Sequence, residues 1–174
     1  SATQLCAPGA GTCTSSSGCT VPAGSTFDIR PRPLVIAAGK VLVVAGNNSN
    51  GLGQMSAVAK AELFDEAGNG GAGSFSGTGS LATVRIYNAS AVLLLDGRVL
   101  VAGGLNLGSN PDSSAELFDP AAAGGAGAFN PAGSMTTPRE GATATLLTTG
   151  KVLVAGGLGT GFAPLASAEL FTPP

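Results

Sequence analysis

The chain carries little charge, few aromatic rings and no histidine. Only 10% of its 174 residues are charged and 5% are aromatic, and tryptophan is absent. Soluble domains typically contain about 25% charged residues. The formal net charge of −2 gives no attraction for nucleic acid, and the eight lysines and arginines form no cluster. Nucleic acid is therefore not an expected partner, and such sparse charge suits a surface partly covered by neighbours.

Long apolar runs are also missing. No stretch approaches the eighteen or so apolar residues that would span a bilayer as a helix. Membrane insertion is therefore not expected. The absence of histidine removes the commonest general base and the commonest metal ligand. Any catalysis would have to rest on carboxylates.

Cysteine is scarce and confined to one place. All three cysteines lie within the first nineteen residues, in a stretch rich in Ser, Gly and Thr: Cys6, Cys13 and Cys19. Their spacings match no zinc pattern. We expect two of them to form a disulfide, so that one cysteine keeps a free thiol. The alternative is an N-terminal leader in which all three thiols are unpaired. The chain starts with Ser1, which we interpret as a processed, extracellular protein whose signal peptide has been removed.

The most informative feature that is present is repetition. The segment GKVLVVAG begins at Gly39, GRVLVAGG at Gly97 and GKVLVAGG at Gly150, which gives periods of 58 and 53 residues. A second motif, AELF, begins at residues 61, 115 and 168, with spacings of 54 and 53 residues. Periods of this size are typical of propeller blades or solenoid turns.

Each repeat has the pattern of β-strands. Two aliphatic runs are separated by a dipeptide that ends in glycine, which is a hairpin signal: Ala38-Gly39, Asp96-Gly97 and Thr149-Gly150. The AELF motif predicts a third strand, and the residues around Phe75 or Phe129 predict a fourth. No segment shows the periodicity of a helix. The sequence therefore predicts eleven or twelve antiparallel strands in three units.

Together these motifs resemble the kelch repeat of β-propellers, in the form found in secreted bacterial proteins. The matching positions are glycine doublets, an acid and an aromatic residue in the third strand, an aromatic residue in the fourth, and an arginine before the next blade: Gly103-Gly104, Gly156-Gly157, Glu116, Phe118, Phe129, Arg85 and Arg139. The resemblance covers residues 30–174. It implies an all-β fold of three kelch-like, four-stranded antiparallel blades, a partial or oligomer-completed β-propeller.

The chain departs from the family pattern in three respects. Phenylalanine stands where the fourth strand usually has tryptophan, the first repeat has Ala45-Gly46 in place of the doublet, and the histidine that commonly follows the arginine is absent. No family ligand site is therefore carried over. We divide the chain into an N-terminal segment, 1–24, and a three-blade domain, 25–174. The expected blades are about 33–81, 82–135 and 136–174, the last without its fourth strand.

The acidic residues give no recognisable catalytic set. Three of them recur at the same place in every repeat and are expected to stabilise their own blades: Glu62, Glu116 and Glu169. Asp112 and Glu140 are irregular, but the sequence offers neither a partner. A kelch-type copper oxidase is similar in fold but uses histidine and tyrosine ligands, and this chain has one tyrosine, Tyr87. We expect no enzyme activity, no bound metal and no cofactor.

A ligand- or carbohydrate-binding module is one alternative function. Loops between the second and third strands and between blades open on one face of a propeller, and loops on a rigid scaffold commonly carry function. The polar residues expected there are Asn47, Asn48, Arg85, Asn106, Asp112 and Arg139. Asparagine can also simply satisfy turn geometry. A second alternative is a fragment of a galactose-oxidase-like enzyme scaffold that lacks the catalytic site.

The function that we expect is self-assembly of a secreted structural subunit. The third unit stops after its third strand, which leaves an edge open to pairing: Ala168, Glu169, Leu170 and Phe171. The segment 24–31 resembles a fourth strand without a blade, with these pairing residues: Phe27, Asp28, Ile29 and Arg30. We hypothesise that it completes the last blade of a neighbouring chain by β-strand addition. The result would be a head-to-tail homo-oligomer, either a six-bladed ring of two chains or an extracellular filament.

Overall fold

A computed structural model describes residues 32–36, 39–45, 47–49, 55–57 and 59–174. These residues contain thirteen β-strands, and all of the strand pairings are antiparallel. In chain order the strands are β1 (Arg32–Ile36), β2 (Lys40–Val44), β3 (Asn47–Ser49), β4 (Met55–Ala57), β5 (Ala61–Asp65), β6 (Ser74–Gly77), β7 (Ser90–Leu93), β8 (Val99–Ala102), β9 (Ser114–Asp119), β10 (Ala128–Ser134), β11 (Thr143–Leu146), β12 (Val152–Ala155) and β13 (Ala168–Phe171).

Three sheets form the blades of the molecule. Blade 1 has the strand order β1-β2-β5-β6, blade 2 the order β7-β8-β9-β10, and blade 3 the order β11-β12-β13. The predicted all-β fold of three antiparallel units is confirmed. The described residues contain thirteen strands rather than eleven or twelve because β3 and β4 form a separate hairpin in the connection between β2 and β5.

Among the described residues, helical structure is limited to single turns. One is α1 (Gly68–Gly71), and two short 3-10 turns occur elsewhere in the described ranges. None of the helices in this part of the chain is long and apolar enough to cross a membrane.

In blades 2 and 3 the hairpins turn at the predicted places, through loops of three residues, whereas Ala38 of the turn predicted for blade 1 lies outside the described residues. In blade 2 the amide of Gly97 donates to the carbonyl of Leu94 at 3.2 Å, and the amide of Leu94 donates to the carbonyl of Arg98 at 2.8 Å. Gly97 has a φ of 86°, in the left-handed region that favours glycine as the last residue of such a loop. Leu147 and Gly150 repeat these bonds in blade 3. The turn glycines therefore set the register of the two innermost strands.

The core lies between neighbouring blades. Successive side chains of a strand point to opposite faces, so one strand can serve two cores. Val99 and Val101 of β8 belong to the apolar cluster between blades 1 and 2, whereas Leu100 and Ala102 belong to the cluster between blades 2 and 3. All four side chains are almost completely buried. Blade 2 is thus covered on both faces.

The three cysteines and the expected donor strand fall on residues 1–31, which lie outside the described residues. The disulfide therefore stays a prediction, which thiol alkylation of the native and the reduced chain would test. The division of the chain at residue 24 likewise stays a prediction.

Candidate functional site

Arg85 lies in the connection between β6 and β7 and is completely buried. Its Nη1 donates to the carbonyl of Gly103 at 2.8 Å, and its Nη2 donates to Ser114 Oγ at 2.9 Å and to Glu116 Oε1 at 3.3 Å. A second carboxylate, Asp112, places its Oδ1 3.6 Å from Nη1. Burial lowers the pKa of Arg85, and the carboxylates of Glu116 and Asp112 offset this only in part. The side chain ties the connection to the glycine doublet and to the third strand.

Glu116 accepts hydrogen bonds from the backbone of the same connection. Its Oε2 accepts the amide of Ala82 at 2.8 Å, and its Oε1 accepts the amide of Thr83 at 3.1 Å. Both residues shortly precede Arg85, so one carboxylate bonds the backbone as well as the guanidinium. We call this arrangement of arginine, glutamate and two backbone amides a clamp. It fixes the polypeptide where it passes from blade 1 to blade 2.

Blade 3 repeats the clamp with Arg139 and Glu169. Nη1 of Arg139 donates to the carbonyls of Gly156 at 3.0 Å and Ser167 at 2.8 Å. Its Nη2 donates to Ser167 Oγ at 2.7 Å and to Glu169 Oε1 at 3.1 Å, and its Nε donates to the same carboxylate oxygen at 3.2 Å. The recurrence of these bonds at matching repeat positions makes the clamp a feature of the blade architecture.

The carboxylate of Glu169 is surrounded by donors. Thr136 gives its amide at 2.6 Å and its hydroxyl at 2.7 Å to Oε2, and the amide of Thr137 donates to Oε1 at 3.1 Å. Burial raises the pKa of Glu169, but the hydrogen bonds from Thr136, Arg139 and Thr137 outweigh burial and lower the pKa to about 2. A carboxyl group with this pKa is a poor general acid near neutral pH, where a useful catalytic pKa lies closer to 7.

Glu62 occupies the matching position of blade 1 without a clamp. Its carboxylate accepts no hydrogen bond within the described part of the chain. Burial raises the pKa of Glu62, and Lys60 partly counteracts the rise. The three glutamates that recur in the sequence therefore do not share one environment.

The loop residues predicted to bind a ligand do not form a single pocket with the arginines. Asn106 Oδ1 accepts the amides of Gly108 at 2.9 Å and Asn110 at 3.2 Å, and Asn110 Nδ2 donates to the carbonyl of Gly108 at 3.0 Å. Asn47 and Asn48 belong to β3, whose backbone pairs with β4. The predicted set thus divides into two clamps whose arginines are buried, a loop bonded within itself and part of a hairpin. Its role in ligand binding stays a prediction.

An aromatic pair joins the third and fourth strands of the complete blades. Phe64 faces Phe75 in register, with ring centroids 5.0 Å apart. Phe118 faces Phe129 in the same way, at 4.9 Å. Tilted pairs at such distances are favourable. Phe171 holds the matching position in β13, which pairs only with β12 among the described strands.

A groove of about 70 Å³ lies beside Phe171, between blades 2 and 3. Its lining includes Leu100, Met135, Val154 and Phe171 itself. At the junction between blades 1 and 2, Phe129 packs against the corresponding apolar cluster. The groove, which we call the Phe171 groove, lies at β13, and β13 corresponds to β9 of blade 2, the strand that faces Phe129. The sequence signal for it is the recurrence of phenylalanine in the AELF motif.

Bonds between blades 2 and 3 were not predicted. Asn88 Nδ2 donates to Glu140 Oε2 at 3.1 Å, and the hydroxyl of Ser90 donates to the carbonyl of Ala142 at 2.5 Å. Glu140 is one of the two irregular acids for which the sequence offered no partner. Asn88 and Glu140 occupy different positions in their repeats, so comparison of the repeats could not pair them.

Comparisons with known proteins support the fold alone. No model of a protein family matches the chain, and no curated protein matches it. The structure of YjhT, a kelch-type protein, is similar with a TM-score of 0.54 and 14% sequence identity, over 76% of this chain and 39% of that chain. A second structure, of a fungal alcohol oxidase of the AA5 family in complex with copper, has a TM-score of 0.54 and 21% identity, over 81% of this chain and 27% of that chain.

This chain therefore spans well under half of the length of either structure. Both likenesses agree with the arrangement of blades and point to a kelch-like β-propeller fold.

Proposed function

We propose that the chain is a non-catalytic structural subunit that acts outside the cell and assembles head to tail with copies of itself by strand addition at β13. The observation that carries this proposal is the Phe171 groove, which lies beside a strand paired on one side only within the described ranges. An unpaired row of N–H and C=O groups is a template for an incoming strand. Main-chain hydrogen bonds would supply affinity, and the groove would select a strand by its side chain.

The donor that we propose is the segment 24–31 of a neighbouring chain. Phe27 would bring its ring opposite Phe171, as Phe129 does opposite Phe118 in blade 2. Phe27 is the only aromatic residue in the first 31 positions of the sequence. A groove that selects an aromatic ring therefore singles out this residue within the segment.

The connection from Phe27 to β1 limits which donor residues can pair. The donor would lie at the outer edge of one blade, and β1 lies at the inner edge of the next. The two positions are three strands apart within a sheet, at about 4.8 Å per strand, and one sheet apart, at about 10 Å. At right angles these distances combine to roughly 17 Å. The five Cα–Cα steps from Phe27 to Arg32 span roughly 17 Å when fully extended. We therefore narrow the pairing residues expected from the sequence, Phe27 to Arg30, to a strand that ends at Phe27, and we propose that Asp28, Ile29 and Arg30 serve as the connection.

The contacts of the acids and arginines favour a structural role over catalysis. The arginines of both clamps donate to backbone carbonyls and to glutamate, and the glutamates accept backbone amides. These groups are used to hold connections between blades. The likeness to a copper-containing oxidase concerns the fold, and the present chain has no histidine with which to reproduce a histidine-based copper site.

Particle mass measured by light scattering on full-length chains tests strand addition. We expect the natural chain to be oligomeric, the Phe27→Ser chain to be monomeric, and a control Ser25→Ala chain to assemble normally. Phe171→Ser should block the acceptor instead of the donor. A mixture of the Phe27→Ser and Phe171→Ser chains should form a complex of two chains that grows no further, because one working donor meets one working acceptor.

Melting temperatures establish that each variant is folded. A monomeric natural chain, or a Phe27→Ser chain that assembles as the natural one does, overturns strand addition by this segment.

A further inference from the structure

Each blade has two chemically different faces, defined by residues that stand opposite each other in its second and third strands. On one face leucine faces leucine, in the pairs Leu42–Leu63, Leu100–Leu117 and Leu153–Leu170. On the other face valine faces phenylalanine, in the pairs Val41–Phe64, Val99–Phe118 and Val152–Phe171. We call these the Leu face and the Val-Phe face.

Both junctions within the chain join unlike faces. The leucine pair of blade 1 belongs to one apolar cluster with Val99 and Phe118 of blade 2. The leucine pair of blade 2 belongs to a second cluster with Val152 of blade 3, and Phe171 packs against that cluster. The Leu face of each blade therefore packs against the Val-Phe face of the blade that follows it.

Within the described ranges, one face of each kind has no blade packed against it. Leu170 is 57% exposed, whereas Leu117, its equivalent in blade 2, is 3% exposed. Val41 and Phe64 are only partly buried, whereas the equivalent valine and phenylalanine of blade 2 are completely buried. The Leu face of blade 3 and the Val-Phe face of blade 1 are thus the two uncovered halves of a junction that already occurs twice.

We propose that the Leu face of blade 3 docks onto the Val-Phe face of blade 1 in a second copy of this chain. The occupant is a second copy because blade 1 presents the residue pair that a Leu face contacts at both internal junctions. Such a contact is head to tail, so it continues into a ring or a filament. The inference rests on the proposed function for the identity of the partner. The surface itself is separate from the edge of β13.

Glu62 gives independent support for a missing neighbour on blade 1. It faces Val43 across the strands and so lies on the Val-Phe face. Its equivalents Glu116 and Glu169 accept amides from the connection that arrives from the preceding blade. Within the described residues Glu62 has no such donor. Among the described residues, this face is therefore one against which no blade packs.

A charge placed on each face tests the docking. Leu170→Lys should raise the dissociation constant of the assembly by roughly 10- to 100-fold through lost leucine burial alone, and further because a buried lysine must be desolvated. The control is Leu107→Lys, since Leu107 is 70% exposed in the loop between β8 and β9 and lies on neither face. Val41→Asp should block the opposite face, and a mixture of Leu170→Lys and Val41→Asp chains should recover one junction and form a complex of two chains.

The outcomes separate the two surfaces. If Leu170→Lys assembles like the Leu107→Lys control while Phe27→Ser does not assemble, face docking is wrong and strand addition stands. If Leu170→Lys is monomeric while Phe27→Ser assembles, strand addition is wrong and face docking stands. Normal assembly of both variants overturns both proposals. The melting temperature of Val41→Asp shows whether this partly buried position tolerates a charge. If that variant does not fold, Leu170→Lys still tests the docking, because Leu170 is exposed.

Discussion

At the scale of single residues, the clamp shows how a buried charge is accommodated. A buried ion pair by itself adds little stability, because desolvation of the two charges opposes their attraction. In the clamp each carboxylate also accepts two backbone amides, and each guanidinium donates to a backbone carbonyl. Removal of the carboxylate would leave a buried guanidinium without its charged partner, and such a loss is costly. The clamp therefore stabilises the connection between blades more than a pair of charges alone would.

We expect Glu169→Gln to lower the free energy of unfolding by roughly 1–3 kcal/mol, because charge-assisted hydrogen bonds to Thr136 and Arg139 are weakened. The matched control is Glu62→Gln, which should be neutral or slightly stabilising because burial disfavours the charged form of Glu62. Urea unfolding at pH 7 measures both. If both variants lost the same free energy of unfolding, the clamp would not be the source of the stability.

The stability of the natural chain should depend on pH in a way that the stability of Glu169→Gln does not. The pKa of Glu169 is about 2 in the folded chain, below its ordinary value of 4.5, so the folded state favours the ionised form. Its contribution is present above about pH 5 and is lost as the pH falls toward about 2. The melting temperature of the natural chain should therefore fall more steeply over this range than that of Glu169→Gln. If the melting temperatures of the two chains fell in parallel with pH, the lowered pKa of Glu169 would not be the source of this pH dependence.

At the scale of the element, the second glycine of the doublet allows two backbones to approach. A Cβ atom at Gly157 would lie 2.5 Å from the carbonyl oxygen of Glu140 and 2.9 Å from the amide nitrogen of Ala142. Gly104 makes the same close approach in blade 2, where a Cβ would lie 2.7 Å from the carbonyl oxygen of Tyr87. The doublet thus lets the connection into a blade pass across the end of its second strand.

Two alanine substitutions distinguish the energetic cost of blocking this close approach from the cost of an unfavourable backbone conformation. Gly150 and Gly157 both have positive φ, at 79° and 84°, but a Cβ at Gly150 would meet only Leu95 Cδ1, at 3.5 Å. Gly150→Ala should cost roughly 1–2 kcal/mol from conformation alone. Gly157→Ala should cost several kcal/mol, on the order of the largest single-site effects, because backbone atoms must move. Similar losses of unfolding free energy in the two variants would show that the close backbone approach at Gly157 does not require glycine.

At the scale of the whole molecule, the described residues form three blades with one uncovered face of each kind. Closed propellers typically have four to eight blades. Two copies joined through both uncovered pairs of faces would make six blades, provided that the rotation between blades closes the ring. If the rotation does not close, the same contact repeats without end.

We expect the open polymer, because a net charge of −2 on 174 residues provides little repulsion between successive copies. Sedimentation or light scattering across a range of concentrations distinguishes the two assemblies. A filament grows in mass with concentration and is visible by electron microscopy. A ring stays at twice the 16.7 kDa mass of the chain, and this result would favour closure.

The sequence by itself determined the repeat, the strands and the hairpin turns. These features rest on local signals, because alternating apolar residues define a strand and a glycine at positive φ defines a turn. The β3–β4 hairpin escaped prediction because each of its strands has only three residues, which is too short for a periodic pattern to be recognised. Alternation also fixes that each blade has two different faces.

Only the tertiary structure decided how these parts meet. Arg85 and Glu116 are 31 residues apart, and Asn88 and Glu140 are 52 apart, so their contacts depend on how whole blades stack. The arginines that the sequence suggested for a binding surface are buried for the same reason, because the connection that carries each arginine is held against a third strand. Stacking also decided that Leu117 is covered while Leu170 is exposed, although the two lie in nearly identical motifs. A local pattern fixes which side chains share a face, whereas burial of that face depends on whether another blade lies against it.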